Sequence, residues 1–382
     1  MNTTPTSLDK LHFTHISDIP HTELGRNART QSGETVLFWS GSGIETIYSG
    51  DELWLDIETH YSVYEQWISV IINDDPVIRT SLPDGRTSLC LFRGNSSHAR
   101  MHVRILKEVQ FMHDDSDSTL LIHGFYHTDA SFSKPVTRPL LFEFVGDSIT
   151  SGTGAVGGRQ SSSYCSMIFS AQHAYPRMVA DAFHADFRII SQAGWGITCN
   201  CENDPRCTLP SIYEYTCSLA SVELSSQTTP SAHSPFAFNE HPADVIVINL
   251  GTNDATAFLA APWVSEDRTE KFALTLTDDN VPDKLSEELI RESVINFLTT
   301  VRQKNPHALL IWAYGMMNTL LSEVLRESVR RYARENNDSR VQYIQLPLCS
   351  DELIGAFEHP NEAGHQMVAT TLSSVIRAHL AE

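Results

Sequence analysis

Residues 35–132 are written in short β-rich runs separated by turn residues. The run 35–39 precedes a glycine turn, and 52–58 alternates so that Leu53, Leu55 and Ile57 share one face. Residues 67–72 lead into Asn73-Asp74-Asp75-Pro76 and 88–92 into Arg93-Gly94-Asn95, while 101–109 and 119–126 close the series. Strands spaced by loops every ~8–12 residues, with no helical period among them, predict an antiparallel β-sandwich. Beyond Pro135 and Pro139 the pattern changes. Near-continuous apolar runs at 140–145, 186–191, 245–250, 308–313 and 341–346 read as parallel strands covered on both faces. Amphipathic helical stretches follow at 283–303, 320–336 and 361–380. This alternation predicts an α/β layered domain over residues 137–382, preceded by the sandwich over residues 1–136. The Ser/Thr/Pro-rich stretch 225–242 and residues 260–282 read as insertion loops, and no internal repeat is found.

Charge narrows the partners. Lys plus Arg is 27 and Asp plus Glu is 47, a formal charge of −20, with no basic stripe to interrupt it. Nucleic acid would be repelled, and an uncharged substrate is easier to hold than a phosphorylated one. No stretch reaches the ~18 apolar residues of a spanning helix, so no membrane partner is expected. The first ten residues lack a basic start followed by an apolar core, which gives cytoplasmic localisation as the expectation. Seven cysteines are an odd number, and four crowd together at Cys199, Cys201, Cys207 and Cys217 without a Cys-x-x-Cys knuckle. That spacing favours reduced or incidental thiols over a zinc site.

The candidate chemistry lies after the parallel strands. The first ends in Gly146-Asp147-Ser148-Ile149-Thr150-Ser151-Gly152. A serine at a strand's C-terminal edge sits where open α/β sheets place ligands. From this segment alone, a helix N-cap serine after a glycine turn reads equally well. Ser191-Gln192-Ala193-Gly194-Trp195-Gly196 follows the second strand, its glycines permitting close approach of backbone to a ligand or simply a tight turn. Asn249-Leu250-Gly251-Thr252-Asn253-Asp254 follows the third, where the Asn253 amide is either a donor to negative charge or a turn residue. All three loops converge on one edge of the sheet, and that convergence is what points to a site. The base must be a histidine. His359 stands out, with Pro360 following it ahead of the last helix; His365 lies further along and reads as packing or surface.

Gly146-Asp147-Ser148, Gly194/Gly196, Gly251-Thr252-Asn253-Asp254 and His359-Pro360, in this order and at this wide spacing, resemble the four blocks of the SGNH, or GDSL-like, hydrolases. The match spans residues ~140–382. The preceding sandwich, with Gly-x-Gly-Ile at 194–197 and Leu209-Pro-Ser-Ile-Tyr213, resembles carbohydrate esterase family 2, whose members deacetylate sugars and plant polysaccharides. The resemblance implies a three-layer α/β/α, flavodoxin-like hydrolase domain behind an N-terminal jelly roll. It implies Ser148 as nucleophile and His359 as base. Ser148 N–H, a glycine N–H (Gly196 in preference to Gly194) and the Asn253 amide would be the oxyanion donors. The wider superfamily places Asp three residues before the histidine, where this chain has Ala356. The closer family resembles this chain in working with a Ser–His dyad, which by analogy makes the Glu358 carbonyl the group that orients His359. The Glu358 side chain and Asp351 compete for that role. Trp195 and Trp263 are candidate sugar platforms, and Asp147 and Asp254 are expected as further substrate contacts. No metal or organic cofactor is called for. The expected substrate is an acetylated xylo- or manno-oligosaccharide. A short-chain acyl esterase or thioesterase, and a decayed carbohydrate-binding protein, are the alternatives.

Overall fold

The structure is a computed structural model that describes residues 8–95, 97, 99–128 and 131–380. The chain divides into two compact units, Met1–Thr137 with Tyr215–Ser234, and Arg138–Glu214 with Pro235–Glu382.

The first unit is built from two antiparallel sheets. One runs in the order Thr228–Thr229, Asn27–Thr30, Thr35–Leu37, Thr119–His127, Glu52–His60, Gly85–Arg93, with His12–His15 also paired to Thr119–His127. The other runs Ser131–Ser133, Gly43–Ser49, Met101–Lys107, Trp67–Ile72, Asp75–Ser81, with Thr22–Leu24 on Gly43–Ser49. The alternation in 52–58 does what it predicts: Leu53, Leu55 and Ile57 are fully buried among Ile68, Val70, Val103, Ile105 and Ile122. Asn73 and Asp74 both take positive φ, the backbone that closes a tight hairpin between Trp67–Ile72 and Asp75–Ser81.

Residues 215–234 belong to this unit although the apolar pattern places them among the α/β elements. They are held by hydrogen bonds to their backbone. Thr228–Thr229 pairs with Asn27–Thr30, the Trp39 indole N–H donates to the Thr216 carbonyl at 2.8 Å, and Arg26 donates to the Tyr215 carbonyl at 2.9 Å. So 225–242 is only partly the insertion loop that its composition suggests.

The second unit carries a five-stranded, wholly parallel sheet. Its order is Asp186–Ser191, Leu141–Gly146, Val245–Asn249, Leu309–Tyr314, Val341–Gln345, the flavodoxin-like 2-1-3-4-5 arrangement. Val245–Asn249 and Leu309–Tyr314 are buried at every position, which is why they read as unbroken apolar runs. Helices Lys284–Lys304 and Ser322–Glu335 pack together, as do Tyr175–Asp181 and Glu362–Leu380, completing three layers. Among the described residues, no helix is long and apolar enough to cross a membrane. The strand order reverses at Leu141–Gly146, which has Asp186–Ser191 on one side and Val245–Asn249 on the other. A crevice opens at such a point beyond the strands' C-terminal ends.

Candidate active site

Leu141–Gly146 delivers the chain to that crevice. A side chain on Gly146 would sit 2.0 Å from Thr150 Oγ1 and 2.8 Å from the Asn249 carbonyl oxygen, so only glycine allows the turn. Asp147 then caps the short Ser148–Ser151 helix by accepting from the Ile149 N–H at 3.0 Å, and Gly152 closes it at φ +82°. Ser148 is therefore the first residue of this helix and not its N-cap, the role that Asp147 takes.

His359 Nε2 lies 2.7 Å from Ser148 Oγ. Its other nitrogen, Nδ1, lies 2.6 Å from the Phe357 carbonyl oxygen. A carbonyl only accepts, so Nδ1 carries the proton and Nε2 is left with its lone pair facing the serine hydroxyl. A histidine held in this tautomer can take the Oγ proton as the oxygen attacks an electrophile. The orienting carbonyl is that of Phe357, which corrects the expectation of Glu358. Phe357 and Glu358 both adopt left-handed backbone, at φ 52° and 55°, and this fold-back turns the carbonyl two residues upstream onto the ring. The Glu358 side chain is exposed, and Asp351 pairs with Arg159 at 3.3 Å, so neither of these carboxylates takes the place of the Phe357 carbonyl at Nδ1. Burial pulls the His359 pKa below the ordinary histidine value, partly opposed by the Phe357 carbonyl.

Three residues that sequence reasoning passed over, Phe357, Tyr164 and Gly154, complete this arrangement. The Phe357 ring stacks on His359, with centroids 5.8 Å apart and planes at 21°, and Tyr164 backs it at 5.4 Å. Gly154, at φ +74°, lets the histidine loop come close, since a Cβ there would lie 2.6 Å from His359 Cβ and 2.5 Å from the Ala356 carbonyl oxygen. A glycine two residues beyond Gly152 was visible in the sequence, but nothing there showed what it faces.

The other two loops are tied to each other. The Asn253 amide donates to the Trp195 carbonyl at 2.9 Å, and this bond uses one of its two N–H groups. Asp254 accepts from the N–H groups of Ile197 at 2.9 Å, Thr198 at 2.7 Å and Cys199 at 3.4 Å. A Cβ on Gly196 would fall 2.3 Å from Asp254 Oδ2, so this glycine is what lets the loop lie on the carboxylate. Gly194 is required by its φ of +79° instead, since a Cβ there would meet only Cys201 Sγ, at an ordinary contact distance of 3.7 Å.

The expected substrate contacts need correction. Asp147 and Asp254 are both completely buried and bind backbone, so they shape the loops from inside. Burial, with Asp254 nearby, pushes the Asp147 carboxyl up to about 7, and its Oδ2 has no hydrogen-bond partner among the described residues. Burial also raises Asp254, against the opposing pull of its three N–H donors. Trp195 is only 7% exposed and offers no open platform. Trp263 is half-buried, with the Arg206 guanidinium 4.8 Å over its ring and its indole bonded to Asp204. His365 is fully buried against Tyr175, held neutral at about 3 by burial, and accepts from the Tyr175 N–H at 3.3 Å. The four clustered cysteines are free thiols, and Cys217 lies in the other unit.

A family model described as GDSL-like lipase/acylhydrolase matches residues 142–372, more than half of the chain and all of the loops just described. The chain belongs to that family. This acylhydrolase is 36% identical to the acetyl xylan esterase Est2A from the rumen bacterium Butyrivibrio proteoclasticus, with a TM-score of 0.93 over 97% of this chain and 99% of that one. It is 26% identical over 345 residues to the acetylxylan esterase/glucomannan deacetylase of Cellvibrio japonicus, covering 87% of this chain and 83% of that protein. It is also 26% identical over 360 residues to the cellulase/esterase CelE of Acetivibrio thermocellus, covering 90% of this chain. There the acylhydrolase spans only 37% of the longer protein's length.

Proposed function

We propose that the acylhydrolase removes O-acetyl groups from neutral carbohydrates, acetylated xylo- and manno-oligosaccharides among them. The observation that carries this reading is the relay from the Phe357 carbonyl through His359 to Ser148 Oγ, at 2.6 and 2.7 Å. The names of its relatives support the sugar ester as substrate. Ser148 Oγ attacks the acetyl carbonyl as His359 Nε2 takes its proton. The Ser148 N–H, the Gly196 N–H and the other Asn253 N–H receive the oxyanion. The tetrahedral intermediate collapses, His359 protonates the departing sugar hydroxyl, and the acetyl group stays on Ser148. Water, deprotonated by His359, then releases acetate and restores the serine. The Phe357 carbonyl does for the imidazole what a triad carboxylate does, holding tautomer and orientation, but contributes a partial charge in place of a full one.

An acyl-chain series tests the substrate class. Hydrolysis of p-nitrophenyl esters is expected to fall steeply beyond propionate, with acetylated oligosaccharides turned over in preference. A rate that climbs toward octanoate would overturn the sugar assignment in favour of a lipid or thioester substrate, and keep the serine chemistry.

A further inference from the structure

The outer face of the seven-stranded sheet in the first unit carries an aromatic row that the esterase reading leaves unused. The strand registers place Phe13 opposite Tyr126, and Tyr126 opposite Trp54. Three aromatic side chains thus stand side by side on three adjacent strands, on the face opposite Leu53, Leu55 and Ile57. Phe13 is 40% exposed, and Tyr126 and Trp54 are half-buried. Cross-strand aromatic pairing alone would stabilise a sheet. Here, however, the row is also fixed in place. The Trp54 indole N–H donates to Glu52 at 2.7 Å, and the same carboxylate, 5% exposed, is paired with Arg93 at 2.9 Å. The Phe13 and Tyr126 rings meet with centroids 4.9 Å apart.

We propose that this row is a binding platform for a neutral, β-linked glycan chain, separate from the Ser148 site. Charge complementarity selects that occupant. The charged groups flanking the row are neutralised in pairs, Glu52 with Arg93 and Asp56 with Arg86 at 2.6 Å, and the whole chain carries −20. An acidic polymer finds no unpaired Arg or Lys beside the row among the described residues, and meets a repulsive field. A pyranose presents polarised C–H groups on its flat faces, which match the electron-rich faces of aromatic rings. Its hydroxyls meet ion-paired side chains whose remaining donor and acceptor positions carry no net charge. Adjacent strands are ~4.8 Å apart, so the row spans roughly 10 Å, about the reach of a disaccharide along an extended chain. The platform does not depend on what Ser148 does, and it gives the first unit a role of its own in holding polymer.

The test is affinity electrophoresis of full-length Ser148→Ala in native gels containing soluble glucomannan or arabinoxylan, with polygalacturonate as the anionic control. The neutral polymers are expected to retard the protein and polygalacturonate not to. Adding Trp54→Ala should weaken the retardation at least about tenfold, as loss of a central aromatic anchor does, and Trp54→Tyr should largely restore it. Phe13→Ala, at an exposed position, carries the same test should Trp54→Ala fail to fold. In the Ser148-containing chain, Trp54→Ala should hydrolyse p-nitrophenyl acetate at the parent rate. Retardation that is the same with and without these aromatics would overturn the platform, as would no retardation by any neutral glycan. A protein that is retarded through Trp54 yet releases no acetate from sugars would leave the platform standing and bring down the esterase reading alone.

Discussion

Replacing Gly154 by alanine probes how closely the histidine loop must approach the nucleophile. The added Cβ would lie 2.6 Å from His359 Cβ and 2.5 Å from the Ala356 carbonyl oxygen. Ordinary carbon contacts begin near ~3.5 Å, so the loop must retreat by about 1 Å. Ala356 and His359 are joined through the His359 N–H to Ala356 carbonyl bond of 3.1 Å, and they move together. A retreat of that size takes the Ser148–His359 contact from 2.7 Å to beyond hydrogen-bond reach. Misplacement of a reacting group by 1 Å typically costs ~100-fold in rate. The positive φ adds a separate stability cost of roughly 1 kcal/mol. Gly85→Ala separates the two effects, because Gly85 has a similar φ of +92° and nothing within 4 Å of its Cβ position. Gly85→Ala should lower the melting temperature by a few degrees and leave kcat unchanged; Gly154→Ala should lose about two orders of magnitude in kcat while folded. A folded Gly154→Ala enzyme within threefold of the parent rate (~0.7 kcal/mol) would refute the close-approach argument.

Further outcomes follow from the same geometry. Asn253→Ala removes the amide that the proposed mechanism assigns to the oxyanion and should lower kcat by two to three orders of magnitude, about 3 kcal/mol, with KM little changed. The base must be neutral to act, and burial lowers the His359 pKa; the acid limb of kcat/KM should therefore lie below the usual histidine range, and a limb above it would contradict the buried, carbonyl-held imidazole. Asp147 holds its proton in the folded state up to about 7 and loses it near ~4 when unfolded, so its contribution to stability is complete below ~4 and is lost as pH rises through about 7. Denaturant titrations at pH 5 and 8 should show this decline in the parent, on the order of a few kcal/mol, and a flatter profile in Asp147→Asn, which keeps the cap without the charge.

The parts legible in the sequence were those carried by local period and local chemistry. Leu53, Leu55 and Ile57 alternate because one face of their strand is buried, and the run at 245–250 is unbroken because its strand is buried on both. The glycines and polar residues after three parallel strands had to lie on one edge, since parallel strands end on the same side. What escaped depends on three-dimensional neighbours. Glu358 and Phe357 both precede His359, and only their left-handed backbone decides which carbonyl meets Nδ1. Asp147 and Asp254 are polar residues in polar loops, and nothing in the chain says that they turn inward to bind N–H groups. Trp195 reads as a platform until its burial is seen, because a tryptophan between two glycines looks the same packed or open. Residues 215–234 join the first unit through hydrogen bonds made to their backbone, by the Asn27–Thr30 strand and by the Trp39 and Arg26 side chains, and such bonds have no hydrophobic period to read.

Ser148 and His359, with a carbonyl in place of a carboxylate, are proposed to deacetylate carbohydrate. Acetate release from acetylated xylo- and manno-oligosaccharides, measured for the parent and for Ser148→Ala, tests it most directly. Rapid release by the parent and none above background by the variant are expected. Release that persists in a folded Ser148→Ala protein, or a folded parent that releases no acetate from either sugar, would contradict it.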